Sequence, residues 1–269
     1  MKWIYLPLLL LLFPFGFASA SISRNAVLNP TSSTSPSFTV SATTTQNVLV
    51  VFTTERDGKT VTGVTYNSVA LTALDTADLG VSSYKTRSWY LKNPATGTNT
   101  ISVSSTGSGD IMTSAISYSG VDQTIVIDTH SGFNGSGSPI TTTLTASTAS
   151  STMLLSGSNL DGNFSASTGS TLETSASDRS PIFSKSDISS GSNSMTVTFS
   201  GTRQWGMTAL ILLPYTGSGG GGISTSTATS TLSADGATVS FLLVILILLM
   251  FLMVVGFMYN SFSNKKPWQ

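Results

Sequence analysis

The chain has 269 residues, 40% hydrophobic and only 9% charged, with a formal net charge of +0 and no cysteine. A globular domain usually has about a quarter of its residues charged; here Ser, Thr and Gly fill the deficit, which points to a β-rich extracellular protein rather than a cytosolic enzyme. Balanced charge without a basic patch argues against a nucleic-acid partner. The absence of Cys excludes thiolate catalysis and Cys-ligated zinc or iron–sulfur sites, and it points to a bacterial or archaeal surface protein whose core stands without disulfides.

The first residues read as a leader. Lys2 precedes an apolar run that ends at Phe17, and Ala18-Ser19-Ala20 follows. A positive start, an apolar core of roughly 7–15 residues and small residues before the cut define a secretory signal peptide. The pattern predicts residues 1–20 as that peptide, cleaved between Ala20 and Ser21. An uncleaved N-terminal membrane helix is the competing reading, and Pro14 and Gly16 late in the run count against it.

Residues 21–215 are expected to be an extracellular all-β domain. Apolar residues alternate with Ser or Thr at period two, as in Met195, Val197 and Phe199, in Ile101 and Val103, and in Trp205, Met207, Ala209, Ile211 and Leu213. Such strands bury one face and wet the other, as antiparallel sheets do. Asn47 to Phe52 is more continuously apolar and predicts a central strand covered on both sides. Asp57-Gly58, Asn67-Ser68, Asn93-Pro94, Gly107 to Asp110, Asp161-Gly162 and Gly201 mark turns.

Two halves of this region are alike. Ser35-Pro36 parallels Ser138-Pro139, each half then has an apolar strand and an Asp-Gly turn, and Gly97-Thr98-Asn99-Thr100-Ile101 parallels Gly191-Ser192-Asn193-Ser194-Met195. An internal duplication is one source of this similarity and Ser/Thr bias is another. Because small cores are marginal without disulfides, the expectation is one antiparallel two-sheet sandwich, jelly-roll-like, that draws on both halves. Tandem small sandwiches are the alternative.

The segments Gly63-Val64-Thr65-Tyr66-Asn67-Ser68-Val69-Ala70-Leu71-Thr72, Arg87-Ser88-Trp89-Tyr90-Leu91-Lys92-Asn93-Pro94 and Ala115-Ile116-Ser117-Tyr118-Ser119-Gly120-Val121-Asp122-Gln123 resemble a β-sandwich module that recurs in secreted and surface proteins of bacteria. The resemblance implies a fold and a location, and it carries no functional residues with it. That module usually has a Gly pair after the Tyr, where this chain has Asn67-Ser68, which also supports a tight turn.

Residues 216–238 are rich in Gly, Ser and Thr and read as a flexible linker. Residues 239–259 are apolar and uncharged, long enough to cross a bilayer as a helix. Lys265 and Lys266 lie in the short tail, residues 260–269; this bias predicts a cytoplasmic C-terminus, hence a single-pass protein displayed outside the cell membrane. Leu213-Pro214-Tyr215-Thr216-Gly217 is similar to the LPxTG signal of wall-anchored proteins, which implies cleavage between Thr216 and Gly217 by a transpeptidase. The long linker before the apolar segment departs from that pattern, and Leu213-Pro214 is also the natural end of the last strand.

Candidate chemistry is sparse. His130, the single histidine, stands with Ser131 and Asp128, but neighbours on a strand point to opposite faces and no G-x-S-x-G elbow is present. No catalytic residues are assigned. Asp122 with Asp128 is the candidate pair for a structural calcium ion, with Asp75 and Asp78, or Asp161 and Asn163, as further oxygen donors; the other reading is that these Asp residues make turns. No other cofactor is expected. Trp89 and Tyr90 are the candidate ligand-binding aromatics, with core packing as the alternative. Glu55 and Glu173 are the only glutamates and sit in no glycosidase signature. Asn134-Gly135-Ser136 and Asn163-Phe164-Ser165 fit an N-glycosylation acceptor.

The expected function is therefore non-enzymatic. The chain reads as a membrane-anchored surface display protein that binds a surface glycan or protein ligand, as in adhesion, with the lipid bilayer as its second partner. A structural envelope or coat component, a sortase-processed wall protein and a carbohydrate-active enzyme are the alternatives.

Overall fold

The computed structural model describes residues 21–42, 44–79, 84–160, 162–167 and 169–216, and every regular element among them is a β-strand. The first half supplies β1 (Ser23–Thr31), β2 (Ser37–Val40), β3 (Val48–Glu55), β4 (Thr60–Tyr66), β5 (Val69–Ala70), β6 (Thr72–Asp78), β7 (Lys85–Lys92), β8 (Gly97–Thr106) and β9 (Ile111–Ser119). The second supplies β10 (Ile127–Ser136), β11 (Ile140–Ala146), β12 (Ser151–Asn159), β13 (Ser165–Ala166), β14 (Thr171–Leu172), β15 (Arg179–Ile188), β16 (Gly191–Thr198) and β17 (Gln204–Leu212). Every pairing is antiparallel.

These strands build four sheets rather than two. Two are five-stranded, β1-β9-β3-β7-β6 and β10-β17-β12-β15-β14; the others are β2-β8-β4-β5 and β11-β16-β13. Replacing each first-half strand by its second-half counterpart turns one five-stranded order into the other, and β2-β8-β4 into β11-β16-β13 in the same way. The similarity of sequence between the halves is thus a similarity of fold. The expectation of one two-sheet sandwich shared by both halves is corrected: each half closes its own.

Three apolar cores account for the stack. Phe38, Val51, Tyr66, Trp89 and Ile101 pack between the two sheets of the first half, and Met153, Phe164, Phe183, Met195 and Ile211 between those of the second. The third core lies between the two five-stranded sheets, where Val48, Val50, Phe52, Ile116 and Tyr118 meet Leu154, Ile182, Leu210 and Leu212. Strand β3 shows how one segment serves two cores. Leu49 and Val51 point into the first sandwich, Val48, Val50 and Phe52 point into the central seam, and all eight residues of the strand are buried. Each half alone has a small core, and burial of the second face of its larger sheet supplies what a half of this size lacks.

The central seam is reciprocal in its middle. Strand β7 lies against β17 as β9 lies against β15, and β3 lies against its own counterpart β12, so the middle of the seam resembles an isologous two-fold contact; the packing of β6 on β10 lies outside that symmetry. The hydroxyls repeat the symmetry: Thr54 and Ser180 stand 2.8 Å apart, Thr86 and Ser158 3.0 Å. Toward the same end the seam turns polar, and the buried hydroxyls of Ser114, Ser156 and Thr208 find no hydrogen-bond partner.

Pairing registers sort the strand ends into two poles. At the exit pole Ser23 is level with Ser119, and the Tyr215 amide donates to the Gly120 carbonyl at 2.8 Å. At the far pole Glu55 is level with Lys85 and Ile111, while in the second half Asn159 is level with Trp205. Residues 1–20, including Ala20, lie outside the described residues, as do Gly217, the remainder of the linker and the predicted span at 239–259. No helix among the described residues is long and apolar enough to cross a membrane.

Candidate functional site

The far pole gathers the ionisable chemistry of a chain that has little of it. Of the basic residues in the described part, Arg56, Lys59, Lys85, Arg87, Arg179 and Arg203 stand there, whereas Arg24, Lys92 and Lys185 stand elsewhere. The turn between β3 and β4 and the turn between β8 and β9 form its floor. They touch backbone to backbone: a Cβ on Gly107 would fall 2.2 Å from the Gly58 carbonyl oxygen, and one on Gly109 2.2 Å from that of Arg56. With φ of 80° and 107°, both positions also favour glycine on conformational grounds. The fused turns hold Arg56 and Asp110 side by side, and the Arg56 amide donates to the Asp110 carbonyl at 3.0 Å.

Arg56 is the hub. Its guanidinium pairs with Asp110, lies 2.9 Å from Asp57, donates to the Tyr84 hydroxyl at 3.4 Å and sits 6.0 Å over the Tyr84 ring. The Tyr84 hydrogen bond holds this guanidinium still further above the ordinary arginine value; burial opposes the shift, and Asp110 and Asp57 reinforce it. Arg179, from the second half, reaches the same carboxylate at 3.9 Å and lies 3.9 Å from Asp178. Two arginines from different halves therefore flank Asp110, and the Nε and Nη1 of Arg179 have no hydrogen-bond partner.

Behind this rim, inside the first sandwich, Arg87 pairs with Glu55. The Glu55 side chain is 0% exposed and its Oε2 is unpartnered, while Arg87 keeps 24% exposure. Beside them Trp89 Nε1 donates to Thr53 Oγ1 at 3.1 Å. The duplicated half offers an internal comparison. Two residues before its own Asp-Gly pair it has Asn159, which ties its turn through Gly162, donating at 2.9 Å and accepting at 3.0 Å. A neutral Asn suffices for the fold at that position. The charged group is particular to the first half.

The residues singled out from sequence are dispersed. Trp89 belongs to the first core, and Tyr90, on the other face, packs against the central one, so they do not form one exposed platform. Asp122 accepts from the Thr124 and Ile125 amides at 2.7 and 2.8 Å, and Asp128 accepts from the Ser147 amide at 2.6 Å; both act in turns near the exit pole. Among the described residues no group of three or more His, Asp or Glu stands together. His130 pairs with Asp75 across the seam at 2.6 Å, while Ser131 bonds the Gly132 carbonyl. Glu173 pairs with Arg24 and Ser184, remote from Glu55. Ser21 and Thr216 are exposed, and Asp161 lies outside the described residues. Arg56, Tyr84, Asp110 and Arg179 escaped sequence reading; Asp57-Gly58 and Gly107 to Asp110 signalled the turns that hold them, but not that the turns meet.

Comparisons with family models, with curated proteins and with solved structures gave no match to this chain.

Proposed function

We propose that the chain is a cell-surface display protein whose far pole binds acidic groups of a surface ligand. In this reading residues 1–20 direct export, residues 239–259 hold the chain in the membrane, and the sandwich stack stands outside. The observation that carries the proposal is the opposition of the poles. Both ends of the described domain leave from one pole, and the arginine-rich rim occupies the other, where a tethered domain presents its loops. Loops set on a rigid β-scaffold are a usual place for binding residues, and guanidinium forks suit carboxylate or sulfate groups.

Each half reads as a small jelly roll. Its first and last strands are neighbours in the five-stranded sheet, and its second and penultimate strands are neighbours in the smaller one. The hold of the fold on Leu213 and Pro214 weighs against the LPYTG reading and toward a lasting anchor. Leu213 donates its amide to the Val126 carbonyl at 3.3 Å and accepts from the Asp122 amide at 3.0 Å, and Pro214 bridges to Val121. A transpeptidase needs that stretch as free extended chain.

The test is binding of cells that display the full chain to arrays of acidic and neutral glycans. Arg56→Ala with Arg179→Ala is the site variant, and Lys92→Ala at the exit pole is the control. The proposal expects capture by acidic glycans that the site variant loses and the control keeps. Equal capture of all three, or capture of none, ends it.

A further inference from the structure

We propose that the central seam is an exchange interface, so that a second copy of this chain pairs with the first by trading halves. Three observations converge on it. First, the middle of the seam is reciprocal: β7 lies on β17 as β15 lies on β9, β3 lies on its counterpart β12, and the hydrogen bond Thr54–Ser180 is mirrored by Thr86–Ser158. Every surface that one half needs is present on the opposite half of another copy, and the trade returns a closed two-fold dimer rather than an open chain.

Second, the seam is the softest layer of the stack. The interiors of the two sandwiches are continuous apolar cores. The seam is half apolar and half hydroxyl, with buried Ser114, Ser156 and Thr208 unpartnered. Its buried apolar cluster has fewer members than that of either sandwich, and interfaces between domains of one chain tend to separate before the domains unfold.

Third, one short segment crosses between the halves. Residues 120–126 run from β9 to β10, turn at Gly120 with φ of 71°, and carry Ile125 with 57% of its surface exposed. Straightening this segment leaves the strands of both halves paired, and it gives up the Val121–Pro214 bridge, the hydrogen bonds of Asp122 and Val126 to Leu213, and the burial of Val121 and Val126 in the seam.

The experiment uses the full-length chain, which has no cysteine of its own. Two differently tagged copies are co-expressed, one with Thr54→Cys and the other with Ser180→Cys. In an unexchanged molecule these thiols belong to separate proteins and do not meet. In the exchanged dimer they face each other across the seam and, on addition of a mild thiol oxidant, close a disulfide, giving a band at twice the monomer mass that carries both tags and disappears on reduction. Pairing Thr54→Cys with Ser104→Cys on the exposed face of β8 measures chance collision and is expected to give no such band. A chain with both Thr54→Cys and Ser180→Cys shows whether the pair can close at all; should it fail, Thr86→Cys with Ser158→Cys replaces it. Closure within one chain, without any band above the collision control between two chains, overturns the proposal.

Discussion

Thr54 and Ser180 belong to different halves of the chain, yet their hydroxyl oxygens stand 2.8 Å apart in a fully buried setting. Ser180 also donates to the Met112 carbonyl at 3.3 Å. The pair joins the halves through atoms that have no solvent to fall back on. Thr54→Val and Ser180→Ala are each expected to cost about 1 kcal/mol, with the double variant costing less than the sum because neither then leaves the other stranded. A double-mutant cycle by urea unfolding checks this; strict additivity would show that the two hydroxyls do not act together.

The Arg87–Glu55 pair is expected to be asymmetric. Glu55 is sealed inside the first sandwich, whereas Arg87 retains a path to water. Arg87→Ala strands a buried carboxylate and is expected to cost about 3–5 kcal/mol. Glu55→Gln leaves a guanidinium that can still reach solvent, so its cost should be clearly smaller. Denaturation midpoints of the two variants decide the matter, and equal losses would contradict the burial argument.

Tyr118 gives the domain an alkaline limit. Burial raises its hydroxyl above the ordinary tyrosine value of 10.0, and the nearby negative charge of Glu173 raises it further. The folded state thus holds a proton that the unfolded state gives up. Its contribution is intact below about pH 10 and is lost progressively as pH rises toward the higher folded value. Stability of the parent should fall above about pH 10 more steeply than that of Tyr118→Phe, measured as unfolding midpoint against pH.

The hairpin between β4 and β5 can be improved. Asn67 and Ser68 both have positive φ, 50° and 64°, the pattern of a two-residue hairpin turn in which Gly is the preferred second residue. Ser68→Gly relieves a left-handed serine at some cost in chain entropy, for an expected net gain of about 0.5 kcal/mol. A melting temperature that falls would show the turn is held by something other than its backbone preference.

The strand pattern was open to sequence reading because apolar alternation is a local property. Met195 with Val197, Ile101 with Val103 and Met207 with Ile211 all lie where that alternation points them, and Val48 to Phe52 is covered on both faces. The layering was not legible. Thr208 and Ser156 occupy the positions between apolar residues where solvent-facing groups belong, yet both are 0% exposed in the seam. A hydroxyl residue carries little information about its side because it can be satisfied by water or by another hydroxyl. The far pole stayed hidden for a different reason: Arg56, Asp110 and Arg179 are remote in sequence, and only the meeting of two turns with the second half brings them together.

That the chain enters the domain beside Ser119 and leaves it beside Gly120 makes the unit a cassette. Its ends can be joined to each other by a few residues, or spliced into a loop of a host protein, without pulling either sheet apart. Opened at an exposed turn away from the glycine contacts, the same sequence should survive circular permutation, and a foreign peptide carried there would be held away from the host surface.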